Sequence, residues 1–88
     1  MTREEAKRII EKEELNHYNI NGRRPFKPDE LVIDQKDGQW RVYATSERAS
    51  PLEGSYVVFD SENDAWDNFI ARARAGKRLE ILTNGKYF

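Results

Sequence analysis

Apolar residues near the start of the chain recur at helical spacing. One face of the predicted helix, over residues 2–15, carries Ala6, Ile9 and Ile10. Thr2 is followed three residues later by Glu5, a capping-box pattern that marks a helix N-terminus. The opposite face is charged, so we expect an amphipathic helix with one solvated side.

The next segment, residues 16–29, is rich in asparagine, glycine and proline, which favour turns over regular elements. The sequence therefore predicts an ordered connection here. Its apolar side chains, Tyr18, Ile20 and Phe26, are expected to hold it against the core.

Asp37 and Gly38 separate two apolar stretches, and Asp-Gly between such stretches is a strong hairpin signal. Setting Lys36 opposite Gln39 fixes the register. The predicted pairs are Gln35–Trp40, Asp34–Arg41, Ile33–Val42, Val32–Tyr43 and Leu31–Ala44. One face of this hairpin is mostly apolar, whereas the other holds a charge pair and an apolar pair.

A third strand is predicted over residues 54–59, followed by a second helix that begins at Ser61, with Asp64 at the third helical position. The apolar residues of this helix are Ala65, Trp66, Phe69, Ile70 and Ala73. We expect Gly76 to end it. Residues 79–82 then form a fourth strand or a packed tail, and Asn84-Gly85 is a possible further turn.

These elements predict an α+β fold, in the order α-β-β-β-α, with an antiparallel three-stranded meander packed by two helices and a possible short C-terminal strand. We expect residues 1–88 to form a single domain, because one core fills a chain of this length.

Charge is nearly balanced, with 15 basic and 16 acidic side chains and a formal net charge of −1. General binders of nucleic acid or of anionic membranes normally carry a basic excess, so neither partner is expected. The chain has no cysteine. It also has no apolar run of about 18 residues and no signal-peptide pattern, which favours a cytoplasmic location.

The chemistry available to an enzyme is limited. His17 is the sole histidine, and no phosphate-binding loop, dinucleotide fingerprint or zinc-protease motif occurs. A hydrolase site with paired carboxylates stays possible if Glu47, Glu53 and Asp60 come together in the fold. We nevertheless expect no enzymatic activity, no cofactor and no metal. Two basic clusters, at Arg23-Arg24 and over residues 72–78, leave weak nucleic-acid binding as a minor alternative.

The connection over residues 45–53 is longer than a hairpin requires, and long connections on rigid sheets often carry binding residues. The candidate partner-binding residues are Glu47, Arg48 and Ser50 in this connection, with Tyr43 and Tyr56 beside it. The structural alternative is that Glu47 and Arg48 pair locally, or that Arg48 caps a neighbouring element. Trp40 and Trp66 are predicted core residues.

Four stretches together carry a resemblance to a known family. They are Glu-Glu-Ala-Lys-Arg-Ile-Ile at residues 4–10, Leu-Val-Ile-Asp-Gln-Lys-Asp-Gly-Gln-Trp-Arg-Val-Tyr at 31–43, Thr-Ser-Glu-Arg-Ala-Ser at 45–50, and Asp-Ala-Trp-Asp-Asn-Phe-Ile at 64–70. The pattern, over roughly residues 2–75, resembles small bacterial immunity proteins of polymorphic toxin systems, in particular immunity protein family fifty-nine.

The resemblance implies a non-enzymatic cytoplasmic protein that binds a cognate toxin domain and blocks it. If that toxin is a nuclease with a basic active site, the expected contacts are the acidic residues Asp60, Glu62, Asp64 and Asp67. The alternative is a small regulatory or adaptor domain, possibly phage-borne, that binds another protein. The oligomeric state does not follow from the sequence.

Overall fold

The computed structural model describes residues 1–21 and 25–83, with side chains described through residue 78 of the second helix. Within these residues, helices pack on one face of a four-stranded sheet. The elements are α1 (Arg3–Lys12), β1 (Tyr18–Ile20), β2 (Leu31–Lys36), β3 (Gln39–Ala44), a 3₁₀ turn (Glu53–Ser55), β4 (Val57–Phe59) and α2 (Glu62–Thr83). The predicted α+β class and the α-β-β-β-α order are confirmed, with one strand added before the hairpin.

The capping box that opens α1 is present as predicted. The Glu5 backbone N–H donates to Thr2 Oγ1 at 3.2 Å, and the Thr2 N–H donates to Glu5 Oε1 at 3.0 Å. The helix ends at Lys12, three residues before the predicted end, because Glu14 adopts a left-handed backbone (φ 53°). Leu15 is nevertheless buried and belongs to the core.

The hairpin has the predicted register at every pair from Leu31–Ala44 to Lys36–Gln39. Asp37 and Gly38 both have positive φ, at 53° and 79°, as a two-residue turn of this kind requires. The prediction succeeds because the register follows from the turn and the alternation alone.

The prediction that residues 16–29 contain no regular element is wrong. Tyr18–Ile20 forms β1, which pairs in parallel with β2 in the sheet order β1-β2-β3-β4. Backbone bonds of the flanking residues extend this pairing, from the Leu31 N–H to His17 O at 2.8 Å and from the Asn21 N–H to Ile33 O at 2.7 Å. A strand of three residues is too short to show a periodic pattern in the sequence. It forms here because its backbone pairs with β2.

Side chains of this segment cover both faces of the sheet. Tyr18 and Ile20 pack against the core, as predicted. Phe26, predicted to do the same, lies instead against the opposite face, where its ring meets Tyr43 edge-on with centroids 6.1 Å apart.

The third predicted strand is shorter than expected. Residues 53–55 form the 3₁₀ turn, and only Val57–Phe59 pairs with β3. Ser55 explains the difference, because its Oγ accepts the Ala44 N–H at 2.9 Å and donates to Leu52 O at 2.6 Å. These side-chain bonds replace strand pairing at this point.

Ser61 begins α2 as predicted, since its Oγ accepts the Asp64 N–H at 3.4 Å. The predicted end at Gly76 is wrong, and the helix continues to Thr83, which excludes a C-terminal strand over residues 79–82. A helical glycine costs about 1 kcal/mol relative to alanine, too little to end a helix held elsewhere. Lys77, one residue beyond Gly76, holds the helix in place by donating to the Glu13 and Glu14 carbonyls at the end of α1. The Asn84-Gly85 turn lies outside the described residues.

The core lies between the helices and one face of the sheet. Its buried members are Ala6, Ile10, Leu15, Ile33, Trp40, Val42, Ala65, Trp66, Phe69 and Ile70. Both tryptophans are core residues, as predicted. No helix in the described part of the chain has an apolar stretch sufficient to span a bilayer.

Ion pairs join the two helices near both ends of α1. Arg3 Nε donates to Glu62 Oε2 at 2.7 Å, and the same oxygen accepts Trp66 Nε1 at 2.9 Å. Twelve residues along α2, Arg74 forms a bidentate pair with Glu13 at 2.9 and 2.6 Å. The helices therefore run side by side in the same direction.

The Arg3–Glu62 pair predicts a pH dependence of stability. The hydrogen bond from Arg3 lowers the pKa of Glu62 below its ordinary value of 4.5. A lowered folded-state pKa stabilises the protein above pH 4.5, and this contribution disappears as pH falls through the folded-state value. We expect Glu62→Gln to lower the free energy of unfolding at pH 7 by under about 1 kcal/mol.

Chemical denaturation at neutral and acidic pH measures this effect. The difference between wild type and Glu62→Gln should shrink in acid. Glu47→Gln, which removes an exposed carboxylate, is the matched control and should show no such pattern. An unchanged difference at both pH values would contradict the assignment.

Candidate protein-binding surface

Strand alternation divides the sheet into two faces with different surroundings. Ile33, Trp40 and Val42 point toward the helices, so their neighbours Asp34 and Arg41 point to the opposite side. We call this side the open face. The register places Asp34 beside Arg41, and Arg41 beside Val58 of β4.

Aromatic rings cover part of the open face. Val32 and Tyr43 are 0% and 2% exposed although the helices lie on the other side of the sheet. Tyr56 stacks on Tyr43 with ring centroids 4.3 Å apart and planes 18° apart, while Phe26 meets the same ring from its edge. Tyr43 is therefore the centre of a second, smaller apolar cluster.

A charged network borders this cluster. Arg41 donates to Asp34 through Nε and Nη2, both at 2.7 Å, and the Tyr43 hydroxyl donates to Asp34 Oδ2 at 2.8 Å. The guanidinium carbon of Arg41 lies 5.3 Å from the Tyr43 ring centroid and 5.6 Å from that of Tyr56. Both partners of the ion pair are mostly buried, with side-chain exposures of 24% and 16%.

This arrangement fixes protonation states as well as positions. The hydrogen bond with Asp34 raises the pKa of Arg41, which stays charged. Burial, followed by the bond to Asp34, raises the pKa of Tyr43 well above its ordinary value, so its hydroxyl remains a donor. Charge-assisted bidentate pairs are strong and geometrically specific.

We define the Arg41–Tyr56 patch as Asp34, Arg41, Tyr43, Tyr56 and Val58. Val58 is 49% exposed, Tyr56 and Arg41 are half-buried, and Tyr43 lies beneath them. Tyrosine and arginine are enriched where binding energy concentrates in protein interfaces. The patch therefore presents residues suited to protein contact on a support that is already ordered.

The predicted connection forms a small closed loop. A bridge between Thr45 and Pro51 closes it, and Ser46 organises its interior. Ser46 N–H donates to Ser50 O at 2.8 Å, and Ser46 Oγ accepts from Arg48 N–H at 3.1 Å. Ala49 has a φ of 62°, which turns the chain back.

The five predicted site residues fall into two groups. Tyr43 and Tyr56 are stacked in the patch, whereas Glu47, Arg48 and Ser50 lie exposed on the closed loop. No hydrogen bond or ion pair joins the groups in the described part of the chain. The local Glu47–Arg48 pair and the Arg48 cap are likewise not found among the described residues. The partner-binding role of all five stays a prediction.

Two features of this surface were not identified as functional from the sequence. Arg41 was placed opposite Asp34 by the register, but its position beside two tyrosines depends on the path of residues 53–56. Ser46 has no distinguishing signal beyond its place before a short polar turn.

A buried polar network holds residues 27–30, which follow Phe26, against the end of β3. Glu30, which is 3% exposed, accepts hydrogen bonds from Asn19 Nδ2 at 3.2 Å and from Lys27 N–H at 3.0 Å. Thr45 Oγ1 accepts from Glu30 N–H at 2.8 Å and donates to Lys27 O at 2.7 Å. These bonds tie residues 27–30 to the end of β3, which positions Phe26.

The basic cluster of α2 is largely engaged in structural contacts. Arg72 donates to Ser55 O at 3.0 Å and Val42 O at 3.4 Å, and its burial lowers its pKa. Arg74 and Lys77 contact the end of α1. The Arg23-Arg24 cluster lies outside the described residues.

His17 is exposed at the start of β1, with a φ of 60°. Within residues 1–21 and 25–83, no group of three or more histidine, aspartate or glutamate side chains has the geometry of a metal site.

Comparison with known proteins gives no relative. The chain matches no family model, no curated protein and no solved structure. The resemblance to immunity protein family fifty-nine therefore stays a prediction that depends on the four sequence stretches.

The raised pKa of Tyr43 predicts that, in an alkaline titration, its hydroxyl ionises at a higher pH than an ordinary tyrosine. Stabilisation by the protonated hydroxyl is present below the ordinary pKa of 10.0 and is lost as pH rises through the folded-state value. We expect ultraviolet absorbance to show one tyrosine ionising late in the folded protein. Tyr43→Phe should abolish this step, and Tyr56→Phe should leave it in place. A late step that survives Tyr43→Phe would contradict the assignment.

Proposed function

We propose that this chain is an immunity protein that binds a cognate toxin domain and neutralises it by direct contact through the Arg41–Tyr56 patch. The observation that carries the proposal is the fixed position of Arg41, held by Asp34 and lying near the stacked rings of Tyr43 and Tyr56. The proposed partner class comes from the resemblance, and the proposed surface comes from the geometry.

Preorganisation supports the choice of this surface. A flexible arginine loses side-chain entropy when a partner immobilises it, at about 0.5–1.5 kcal/mol per side chain. Arg41 has already lost that freedom to the bidentate pair with Asp34. The stacked tyrosines are similarly restrained, so a partner meets them without ordering them first.

Three of the four acidic residues considered as contacts for a basic toxin, all except Asp64, already have partners within the chain. Glu62 accepts from Arg3 and Trp66, Asp67 contacts the Met1 amino group, and Asp60 accepts from Gln39 Nε2 at 3.3 Å. These contacts compete with a partner for the same carboxylates. The acidic start of α2 is therefore a weaker candidate than the patch.

Co-expression tests the function directly. Immunity genes normally follow their toxin genes, so the product of the gene immediately upstream is the partner to test. We expect the chain to rescue cells from that product and to co-elute with it on size exclusion. Unchanged survival with separate elution would reject the immunity proposal for that pair and favour the adaptor alternative.

Matched valines on β4 test the surface. Val58 lies on the open face and Val57 on the side toward the helices, with exposures of 49% and 39%. We expect Val58→Asp to weaken toxin binding by about tenfold or more, because it places a carboxylate beside Arg41 that competes with Asp34 for the guanidinium and is desolvated in the complex. Val57→Asp should change the dissociation constant much less.

Calorimetric titration with the toxin domain measures both constants, and thermal unfolding confirms that both variants fold. Equal losses in the two variants, or no loss in Val58→Asp, would contradict the use of the open face.

The closed loop is tested by a double substitution. Glu47 and Arg48 are exposed, and the Arg48 bond to Ser46 uses the Arg48 backbone N–H, so Glu47→Ala/Arg48→Ala should leave the unfolding temperature unchanged. If the loop also contacts the toxin, this variant weakens binding, chiefly through slower association that depends on salt. A lost thermal transition would show that the loop is structural and that the site prediction for Glu47 and Arg48 is wrong.

A further inference from the structure

The hairpin register determines where the backbone groups of β4 point. In a two-residue hairpin, the pair that closes the turn exchanges hydrogen bonds, and bonded pairs then alternate along the strands. Closure at Lys36–Gln39 therefore directs the N–H and C=O of Arg41 toward β2 and those of Trp40 and Val42 toward β4.

Bonds at the end of β3 agree with this alternation. The Ala44 N–H reaches Ser55 Oγ on the β4 side, whereas the Thr45 N–H reaches Glu30 O on the β2 side. The bonded pairs between β3 and β4 are consequently Trp40–Phe59 and Val42–Val57. Val58 lies between them, so its N–H and C=O point away from β3.

β4 is an edge of the sheet, and the exposed apolar side chains collect there. Among the described residues, the large hydrophobic side chains with the greatest exposure are Leu52, Val57 and Val58, at 45%, 39% and 49%. No backbone hydrogen bond outside the β3 ladder involves Val58 in the described part of the chain. This edge has both the hydrogen-bonding groups and the apolar surface of an incomplete sheet.

We propose that two copies of this chain pair through β4, antiparallel, on a two-fold axis at Val58. Each Val58 exchanges two backbone hydrogen bonds with its copy in the second chain. The same register sets Val57 opposite Phe59 of the second copy and Tyr56 opposite Asp60 of the second copy. Tyr56 has an extended backbone (φ −69°, ψ 133°), and its N–H donates to Glu53 O at 3.5 Å, so the pairing continues at that residue through its carbonyl.

Self-complementarity favours a second copy over an unrelated strand. The Val58 register pairs valine with valine, valine with phenylalanine, and tyrosine with aspartate, and it opposes no like charges. An axis at Asp60 would set two carboxylates against each other. An axis at Tyr56 would set Val58 opposite Gly54, which lies in the 3₁₀ turn. Axes at Val57 or Phe59 fail because their backbone groups are already bonded to β3.

The pairing joins the two sheets into one continuous sheet of eight strands. In an antiparallel pair, opposed side chains point to the same face, so both open faces lie on one side. The dimer therefore presents two Arg41–Tyr56 patches side by side. A strand contact of five residues is smaller than a standard interface of about 1,600 Å², so we expect association to depend on concentration.

Single cysteines test the register, because the chain has no cysteine of its own. Opposed Cα atoms in a bonded antiparallel pair are about 5.5 Å apart, within the range of a disulfide. We expect Val58→Cys to form a covalent dimer under mild oxidation. Val57→Cys, whose copies are offset across the axis, should cross-link much less. Equal cross-linking of both variants, or none in either, would overturn the proposal.

A proline tests the backbone bonds. Val58→Pro removes the outward N–H and leaves the β3 ladder intact, as edge-strand prolines do. Sedimentation equilibrium of the chain alone should show a concentration-dependent dimer for wild type and a monomer for Val58→Pro, with similar unfolding temperatures.

A monomeric wild type at the highest soluble concentration would overturn the proposal. If Val58→Pro fails to fold, the cysteine pair decides. Because these measurements omit the toxin, their outcome is independent of the immunity proposal.

Discussion

The left-handed backbone of Asp37 and Gly38 is the constraint on which the rest of the structure depends. This two-residue turn fixes Lys36 opposite Gln39, and the period of the strands then assigns every side chain of β2 and β3 to a face. A slip of one residue would send Ile33 to solvent and Asp34 into the core. The same turn also decides which backbone groups of β4 are bonded and which point outward.

The two faces that result are stabilised in different ways. The helix face is apolar, and ion pairs between the helices hold α1 and α2 across it. The open face combines a bidentate pair, Asp34 with Arg41, and the stacked rings of Tyr43 and Tyr56. Because a charge pair and aromatic rings cover that face in place of a helix, its aromatic and cationic groups stay partly exposed. The proposed binding surface is a consequence of both helices of the described residues packing on one side of the sheet.

The features that were predictable from the sequence are local ones. The caps at Thr2 and Ser61 and the hairpin register each depend on residues a few positions apart. The features that were missed depend on distant partners. β1 exists because β2 pairs with it, and α2 continues past Gly76 where Lys77 reaches the end of α1. At the candidate surface, the sequence indicated the two tyrosines, but not the position of Arg41 near both rings.

The central claim is that a partner binds the open face and not the helix face. Nuclear magnetic resonance of Arg41 Nε–H and Trp66 Nε1–H, with and without the purified toxin domain, tests it most directly. Arg41 lies in the patch, and Trp66 is fully buried on the helix side, so the two signals report on the two faces. If the partner binds the open face, the Arg41 signal shifts and the Trp66 signal does not. A shift confined to Trp66, or an unchanged Arg41 signal in a formed complex, would contradict it.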